Sequence, residues 1–444
     1  MSTIFAQLAN DAANIAAPAP SITGQVIRFD GQLVECAGFP ASPGARCEIH
    51  TRDGSRYRGE VIGFNNRRNT IFLDQPFSPI QIGDKVSLLP GGKNIPVGDA
   101  LLGRVTDADG LPLDIEDAPI RTTETWPLLG KLMNPLKRTP VAEPLDVGVR
   151  MINSALTVGR GQRIGIVAGS GVGKSVLMEM MARYTEADVV VVGLIGERAR
   201  EVGAFARALM TDDAARKICM VAVPADRSPL LRLRGARRAT AIAEHFRSQG
   251  KQVLLMIDSL TRVAHAQREI GLALGEPPTS KGYPPSVIAM IPSLIERAGP
   301  GLPGEGAITA IYTVLADGDD TTNDPVVDTA RAILDGHIVL SRRQTQMGLY
   351  PAIDLPQSVS RVMNDIVDPA HLASAQRLRK LISLYMDNRD LMLMGGYVKG
   401  QDADLDAAVE LWPHIENFIR QSPHAPAPFA EARQALISLM ESNR

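Results

Sequence analysis

The chain has 444 residues, which is too long for one ordinary hydrophobic core, so two or three domains are expected. Hydrophobic residues make up 45% and charged residues 22% of the sequence, which is typical of a soluble globular protein. The 47 basic and 49 acidic side chains give a net charge of −2, and aromatic residues are only 4%. This balance argues against binding of polyanions by bulk charge and leaves few stacking platforms for single-stranded nucleic acid.

Three cysteines, Cys36, Cys47 and Cys219, lack CxxC spacing and indicate neither a disulfide framework nor a zinc knuckle. The N-terminus has no basic region followed by a long apolar run, and no later stretch approaches the ~18 apolar residues of a membrane span. We therefore expect a cytoplasmic protein that is able to dock on a membrane machine.

Residues 1–23 are predicted to form an N-terminal segment of their own. Ile4, Leu8, Ala12 and Ile15 recur at helical spacing and are followed by "APAPS", which predicts a short amphipathic helix and a stiff linker. A frayed terminus is the alternative interpretation.

Residues 24–96 consist of short alternating runs such as "GQVIRF" and "YRGEVIGF", punctuated by Gly, Pro, Asn and Asp. This pattern predicts a small antiparallel β-barrel. The basic turn "NNRR" at residues 65–68 admits a nucleic-acid-binding barrel, but the absence of interleaved aromatics favours a structural or oligomer-forming one.

Residues 97–367 alternate near-continuous apolar runs with helical stretches. The runs are "RIGIV", "ADVVVVGLI", "ICMVAV", "QVLLMID", "ITAIYTVL" and "HIVL". Such strands fit a mostly parallel sheet covered on both faces, whose ligands bind at the carboxyl ends of the strands. Residues 368–444 read as a helical domain.

The stretch "AGSGVGKS", residues 168–175, lies between the strand "RIGIV" and the helix "VLMEMMARY". Its glycines allow backbone N–H groups to converge on phosphate oxygens, and the helix N-terminus adds partial positive charge. Lys174 is expected to neutralise the β- and γ-phosphates and the Ser175 hydroxyl to hold Mg²⁺. The residues predicted to bind the nucleotide here are Gly169, Ser170, Gly171, Val172, Gly173, Lys174, Ser175 and Val176.

Two carboxylates complete this predicted site. Asp258 ends the apolar run "QVLLMID" and is placed to hold Mg²⁺, although an aspartate there could also cap the next helix. Glu197 follows "ADVVVVGLI" and could orient the attacking water of phosphoanhydride hydrolysis, or could simply favour a helix N-terminus.

These residues resemble the α/β-subunit family of rotary ATPases. The segments that carry the resemblance are "AGSGVGKS", "GERAREV", "LLMIDSLTR", "AHAQREIGLALGEPPTSKGYPPS", "LDGHIVLSRR" and "YPAIDLPQSVSR". Within the family they are most similar to the flagellar type III protein-export ATPases. The resemblance implies an α/β fold with a RecA-like P-loop core, a preceding β-barrel domain and a following C-terminal α-helical domain.

The resemblance also implies roles for particular residues. Glu197 matches the catalytic glutamate, and Arg198 matches a charged neighbour of the phosphate site. Tyr350, before "PAID", matches the aromatic that stacks on adenine. Arg361, in "SVSR", matches an arginine that one subunit inserts into the site of the next; without the resemblance it would be an ordinary loop arginine in a salt bridge.

Because one chain carries both Glu197 and Arg361, the resemblance implies a homohexameric ring that hydrolyses Mg-ATP at its subunit interfaces. The implied partners are a stator-like regulator at the N-terminal segment, a coiled-coil stalk protein, the export gate and chaperone–substrate complexes, with no nucleic acid. The ring would lie in the cytoplasm, peripheral to the membrane-embedded export apparatus. Three alternatives remain open: the ATPase of a virulence-type injectisome, an RNA-dependent ring translocase, and a non-hydrolytic nucleotide-binding regulator.

Overall fold

A computed structural model describes residues 23–76, 78–89, 92–115, 118–211, 213–315 and 324–441. The chain divides into two compact units, Met1–Lys93 and Asn94–Arg444. The helix predicted around Ile4 to Ile15 lies outside the described residues, and the four-part division of the chain stays a prediction.

The first unit contains a closed antiparallel barrel in the order β1-β2-β5-β4-β3-β6. Its strands are β1 Thr23–Asp30, β2 Leu33–Ala37, β3 Arg46–His50, β4 Arg56–Asn65, β5 Arg68–Leu73 and β6 Lys85–Leu88. Alternate side chains such as Val26, Val34 and Val86 fill the interior, as the period-2 pattern requires. Cys36 and Cys47 lie in the same core as free thiols. The predicted small barrel is confirmed.

The second unit is built on a nine-stranded sheet with the path β17-β16-β10-β15-β13-β11-β12-β8, in which β14 pairs with β15. The strands of this unit are β7 Asn94–Val97, β8 Val105–Thr106, β9 Glu124–Pro127, β10 Arg163–Ala168, β11 Val189–Ile195, β12 Ile218–Val223, β13 Gln252–Asp258, β14 Gly299–Pro300, β15 Ala307–Leu315, β16 Gly336–Leu340 and β17 Ile353–Ser360. Strands β7 and β9 form a separate two-stranded sheet.

The sheet is parallel except where β17 and β14 pair antiparallel with their neighbours. Every residue of β11 and of β12 is buried, because helices cover both faces of the sheet. The mostly parallel sheet predicted from the apolar runs is confirmed.

The helices follow the strands in alternation up to β17 and then form the C-terminal region. They are α1 Arg150–Ala155, α2 Lys174–Tyr184, α3 Ala199–Leu209, α4 Pro229–Ser248, α5 Leu260–Ala273, α6 Pro285–Ile295, α7 Pro325–Ile333, α8 Arg342–Gln346, α9 Met363–Ile366, α10 Pro369–Leu393, α11 Ala403–Ile419 and α12 Phe429–Glu441. Short 3₁₀ turns occupy Asp99–Leu101, Pro135–Lys137, Asp213–Lys217 and Ser280–Gly282.

Two of the three C-terminal helices, α10 and α11, start directly after an aspartate that caps them. The Asp368 carboxylate accepts the N–H groups of Ala370 and His371 at 3.1 and 3.0 Å, and Asp402 caps α11 in the same way. Tyr385 of α10 stacks on Trp412 of α11 with ring centroids 3.8 Å apart. The predicted helical region is therefore confirmed, and none of the helices described is both long and apolar enough to cross a membrane.

Candidate active site

The glycine-rich loop joins the end of β10 to the start of α2. Gly171 and Gly173 have φ values of 79° and 87°, a left-handed conformation that other L-residues adopt at a cost. Gly173 is the residue immediately before α2, so the loop turns directly into the helix N-terminus. This is the strand–loop–helix arrangement that the motif requires for a phosphate cradle.

The sheet order brings the glycine-rich loop and two carboxylates to the same end of the sheet. Strand β15 separates β10 from β13, and β13 pairs with β11 in parallel. The loop after β10, Asp258 at the end of β13 and Glu197 just beyond β11 therefore share the carboxyl end of the sheet, where ligands of parallel sheets bind.

Lys174 connects these elements. Its Nζ donates to Asp258 Oδ1 and lies 3.9 Å from Glu197 Oε1. Thr313 of β15 donates a second hydrogen bond to Asp258 Oδ1 at 2.5 Å, whereas Oδ2 accepts none from the described residues. Asp258 is thus held on one oxygen and open on the other.

Glu197 is buried, and its Oε1 has no hydrogen-bond partner among the described residues. Burial raises the pKa of this carboxyl; the positive charge of Lys174 opposes that shift, and the negative charge of Asp258 adds to it. A carboxylate that has one oxygen without a hydrogen bond and a raised pKa is suited to accept a proton from water.

Ser175, Val176 and Tyr350 lie around the same loop. Ser175 and Val176 are exposed in the first turn of α2. The Tyr350 ring lies 3.7 Å from where a Cβ on Gly173 would stand, and 45% of the residue is exposed. The structure thus places the predicted adenine-stacking ring beside the loop.

Arg198 lies further out. It immediately precedes α3, is largely exposed, and its Nη1 contacts Glu201 Oε1 at 3.2 Å. That pair is an ordinary surface ion pair, and its phosphate-site role stays a prediction.

Arg361 lies at the other end of the sheet. The loop end of β10 aligns with Leu340 of β16 and hence with Ile353 of β17, whereas Ser360 pairs with Gly336. Four residues along β16 span roughly 13 Å, so Arg361 is separated from the loop of its own chain by at least that distance along the strand. Its guanidinium is exposed, and Nη2 donates to the Arg331 carbonyl at 3.4 Å.

Sequence reasoning missed three side chains near this edge. Thr313 holds Asp258, Arg262 packs against Gly196 and partly offsets the rise that burial causes in the pKa of Glu197, and the Arg342 guanidinium lies against Gly169. Arg342 also lines a cavity of about 350 Å³ beside the start of the loop. Arg262 is the third residue of α5, four residues beyond Asp258 in the sequence.

The side chains present fit a nucleotide with its Mg²⁺. Carboxylate and hydroxyl oxygens are the ligands that Mg²⁺ prefers, and both Asp258 Oδ2 and the exposed Ser175 hydroxyl lack a hydrogen bond within the described residues. Lys174 is already paired with a negative group at the mouth of the loop, which is the charge that a phosphate would present.

Residues 148–360 match the nucleotide-binding domain of the ATP synthase alpha/beta family, and residues 367–438 match the C-terminal domain of the type III secretion ATPase EscN. The flagellum-specific ATP synthase of Salmonella typhimurium is 51% identical over 429 residues, with 94% of each chain covered. That of Pseudomonas aeruginosa is 48% identical, covering 95% of this chain and 94% of the relative.

Among solved structures, the assembled ATPase EscN from the enteropathogenic E. coli type III secretion system superposes with a TM-score of 0.88. It is 40% identical, and the match covers 94% of this chain and 100% of the EscN chain in that structure. The same ATPase in complex with its central stalk EscO gives a TM-score of 0.86. From the loop geometry, the sheet order and these similarities together, the chain belongs to the rotary ATP synthase α/β family and, within it, to the flagellar and type III export ATPases.

Proposed function

We propose that this protein hydrolyses Mg-ATP and thereby energises or gates the export of flagellar proteins. The observation that carries the proposal is the meeting of Lys174, Glu197 and Asp258 at the carboxyl end of the parallel sheet. Bound Mg²⁺ would supply positive charge to the phosphate oxygens, and Ser175 and Asp258 are the residues that would hold it.

Each of the other side chains has a distinct role in the proposal. Backbone N–H groups of residues 169–176 and the Lys174 ammonium bind the phosphates. Glu197 accepts a proton from the attacking water and orients it, which its unpartnered buried oxygen favours. Tyr350 stacks on the adenine, and Arg198 adds positive charge at the rim.

Arg361 acts in the site of a neighbouring copy in this proposal. Its exposure, and its position at the far end of the sheet from its own loop, support a role in trans. The assembled state of the similar ATPase EscN supports a ring, which we propose to be a homohexamer. A fixed guanidinium in such a site stabilises charge on the transferring phosphoryl group and is worth ~10³–10⁵ in rate.

A complementation experiment tests this shared site, meaning a nucleotide site built from the loop of one copy and Arg361 of its neighbour. Lys174→Ala and Arg361→Ala should each abolish hydrolysis alone, yet a mixture should recover activity, because the intact loop of one variant meets the intact arginine of the other. Hydrolysis that persists in Arg361→Ala but is lost in Lys174→Ala would refute the shared site. The rate should also rise cooperatively with protein concentration and should be independent of RNA; an RNA-dependent rate would instead support the ring translocase.

The flagellar assignment is favoured over the injectisome by similarity. The flagellum-specific relative from Salmonella is 51% identical, compared with 40% for EscN of a secretion system. The measurement that separates the two is export of flagellar proteins by a strain from which this protein has been deleted. Re-introducing the protein should restore that export.

The proposed partners are those that the resemblance to the export ATPases implies. The complex of EscN with a central stalk supports a coiled-coil stalk partner, and we include the export gate and chaperone–substrate complexes at the cytoplasmic face of the membrane. We assign the stator-like regulator to the N-terminal segment. Deletion of residues 1–20 should weaken regulator binding in a pulldown while hydrolysis is largely retained, and an unchanged affinity would contradict that assignment.

A further inference from the structure

The edge strand β17 carries a large bulge just before Arg361. Val339 of β16 pairs with Asp354, and the next pairing joins His337 to Val359. Two steps along β16 are therefore matched by five steps along β17. Residues 355–358 stand opposite Ile338 alone, so most of their backbone carbonyls require donors other than the neighbouring strand.

Side chains of the bulge itself form some of the hydrogen bonds that the missing strand pairing leaves open. Ser358 Oγ accepts the Val339 N–H at 2.9 Å and donates to the Asp354 carbonyl at 2.5 Å. Gln357 folds onto the Asp354 carboxylate through its backbone N–H, at 3.1 Å, and its amide, at 2.8 Å. The bulge is thus an ordered feature with a defined hydrogen-bond pattern.

Arg379, from helix α10, supplies further donors, while His337 Nε2 of β16 lies 3.0 Å from the Gln357 carbonyl. Its Nη1 donates to the carbonyls of Leu355 at 2.7 Å and Ser358 at 2.6 Å, with a longer contact of 3.3 Å to Pro356. One guanidinium nitrogen therefore spans the bulge from its first residue to its last. Arg379 is only partly exposed, so this hydrogen bonding is shielded from competing water.

The bulge determines how Arg361 is presented. Val359 and Ser360 re-enter the ladder immediately after it, and the Arg361 N–H donates to the Asp335 carbonyl at 2.9 Å. Since side chains alternate along a strand, a slip of one residue in the bulge would move the following side chains to the opposite face. The number of residues in the bulge therefore decides on which face of the sheet the Arg361 side chain lies.

We propose that Arg379 is a positioning residue for the arginine acting in trans: it fixes the β17 bulge and thereby holds Arg361 where a neighbouring copy can use it. This inference rests on the proposed shared site. Arg379 itself donates to backbone carbonyls, so it acts through Arg361 rather than on the nucleotide. It also makes α10 of the C-terminal region a support for the shared site.

Arg379→Met removes the donors while keeping an unbranched side chain of similar reach. A misplacement of about 1 Å at a reacting group can cost 10²-fold, so kcat should fall by about that factor. KM for ATP should stay unchanged, because the variant keeps its own loop and Tyr350. Arg377→Met is the matched control, since Arg377 lies on the same helix and its guanidinium donates to the Met440 carbonyl of α12 at 2.8 Å.

Mixing variants separates positioning from general damage. Arg379→Met mixed with Lys174→Ala should regain activity, because the intact loop of the first meets the well-placed Arg361 of the second. If Arg361→Ala with Lys174→Ala regains activity but Arg379→Met with Lys174→Ala does not, the inference about Arg379 is overturned and the shared site stands. Wild-type kcat in Arg379→Met overturns it equally. If neither mixture regains activity, the shared site itself is refuted.

A second variant covers a failure of Arg379→Met to fold. Arg379→Gln keeps two N–H donors on a shorter side chain and should show the same loss of kcat at constant KM, with the same recovery on mixing. Circular dichroism of each variant, taken before mixing, establishes that the subunits are folded. A folded Arg379→Gln with a raised KM and no recovery on mixing would also overturn the inference.

Discussion

Replacement of Glu197 by glutamine is the most direct probe of the proposed chemistry. The two side chains have the same shape, and Glu197 Oε1 has no hydrogen bond to lose among the described residues. General-base catalysis contributes ~10²–10⁴-fold in rate, which corresponds to about 3–5 kcal/mol of transition-state stabilisation. Steady-state hydrolysis by Glu197→Gln should fall by that range while binding of a fluorescent ATP analogue is retained.

The same substitution should not destabilise the fold. Burial raises the pKa of Glu197 above its ordinary value of 4.5, so its ionised form is less favourable in the folded than in the unfolded chain. The variant should therefore be at least as stable as wild type. That advantage is fully present above the raised pKa and disappears as the pH falls to the ordinary glutamate value. Thermal unfolding measured from pH 8 to pH 4.5 tests the sign.

Glu201→Gln is the matched control. Glu201 lies in the first turn of α3 and pairs with Arg198 at the surface, so its neutralisation should leave hydrolysis and stability close to wild type. Wild-type activity should also fall on the acidic side as Glu197 is protonated, at a pH above that of an ordinary glutamate. Hydrolysis by Glu197→Gln at a rate near that of wild type, with binding intact, would refute the general-base assignment.

Two further predictions address recognition and stability. Tyr350→Ala should raise KM for ATP by about 5- to 150-fold, because loss of stacking on a base costs ~1–3 kcal/mol. Tyr350→Phe keeps the ring, so its KM should stay near that of wild type. Equal KM values for the two variants in steady-state assays would contradict the stacking role. Glu244→Ala should lower the free energy of unfolding by about 3–5 kcal/mol in urea titrations, since the fully buried carboxylate pairs with Arg297 at 2.9 Å and accepts the Trp126 N–H at 3.0 Å. Asp404 pairs with Lys380 at the surface, and Asp404→Asn is the control. It should change the free energy of unfolding by no more than about 1 kcal/mol.

Much of this protein could be predicted from the sequence because the determining signals are local. Uninterrupted apolar runs such as "ADVVVVGLI" specify strands buried on both faces. Alternating runs specify barrel strands with one face toward the interior and the other toward solvent. The loop "AGSGVGKS" carries its own strand, glycines and lysine within a short stretch. Asp258 and Glu197 could be predicted because the first ends one such run and the second lies two residues beyond another.

The tertiary structure alone decided which distant side chains meet. Thr313, 55 residues from Asp258, holds its carboxylate because β15 lies beside β13 in the sheet. The Arg361 motif is recognisable in the sequence, but its distance from its own loop follows from the antiparallel pairing of β17 with β16. The bulge closed by Arg379 had no sequence signal, because strand register and helix docking are set by contacts between segments far apart in the chain.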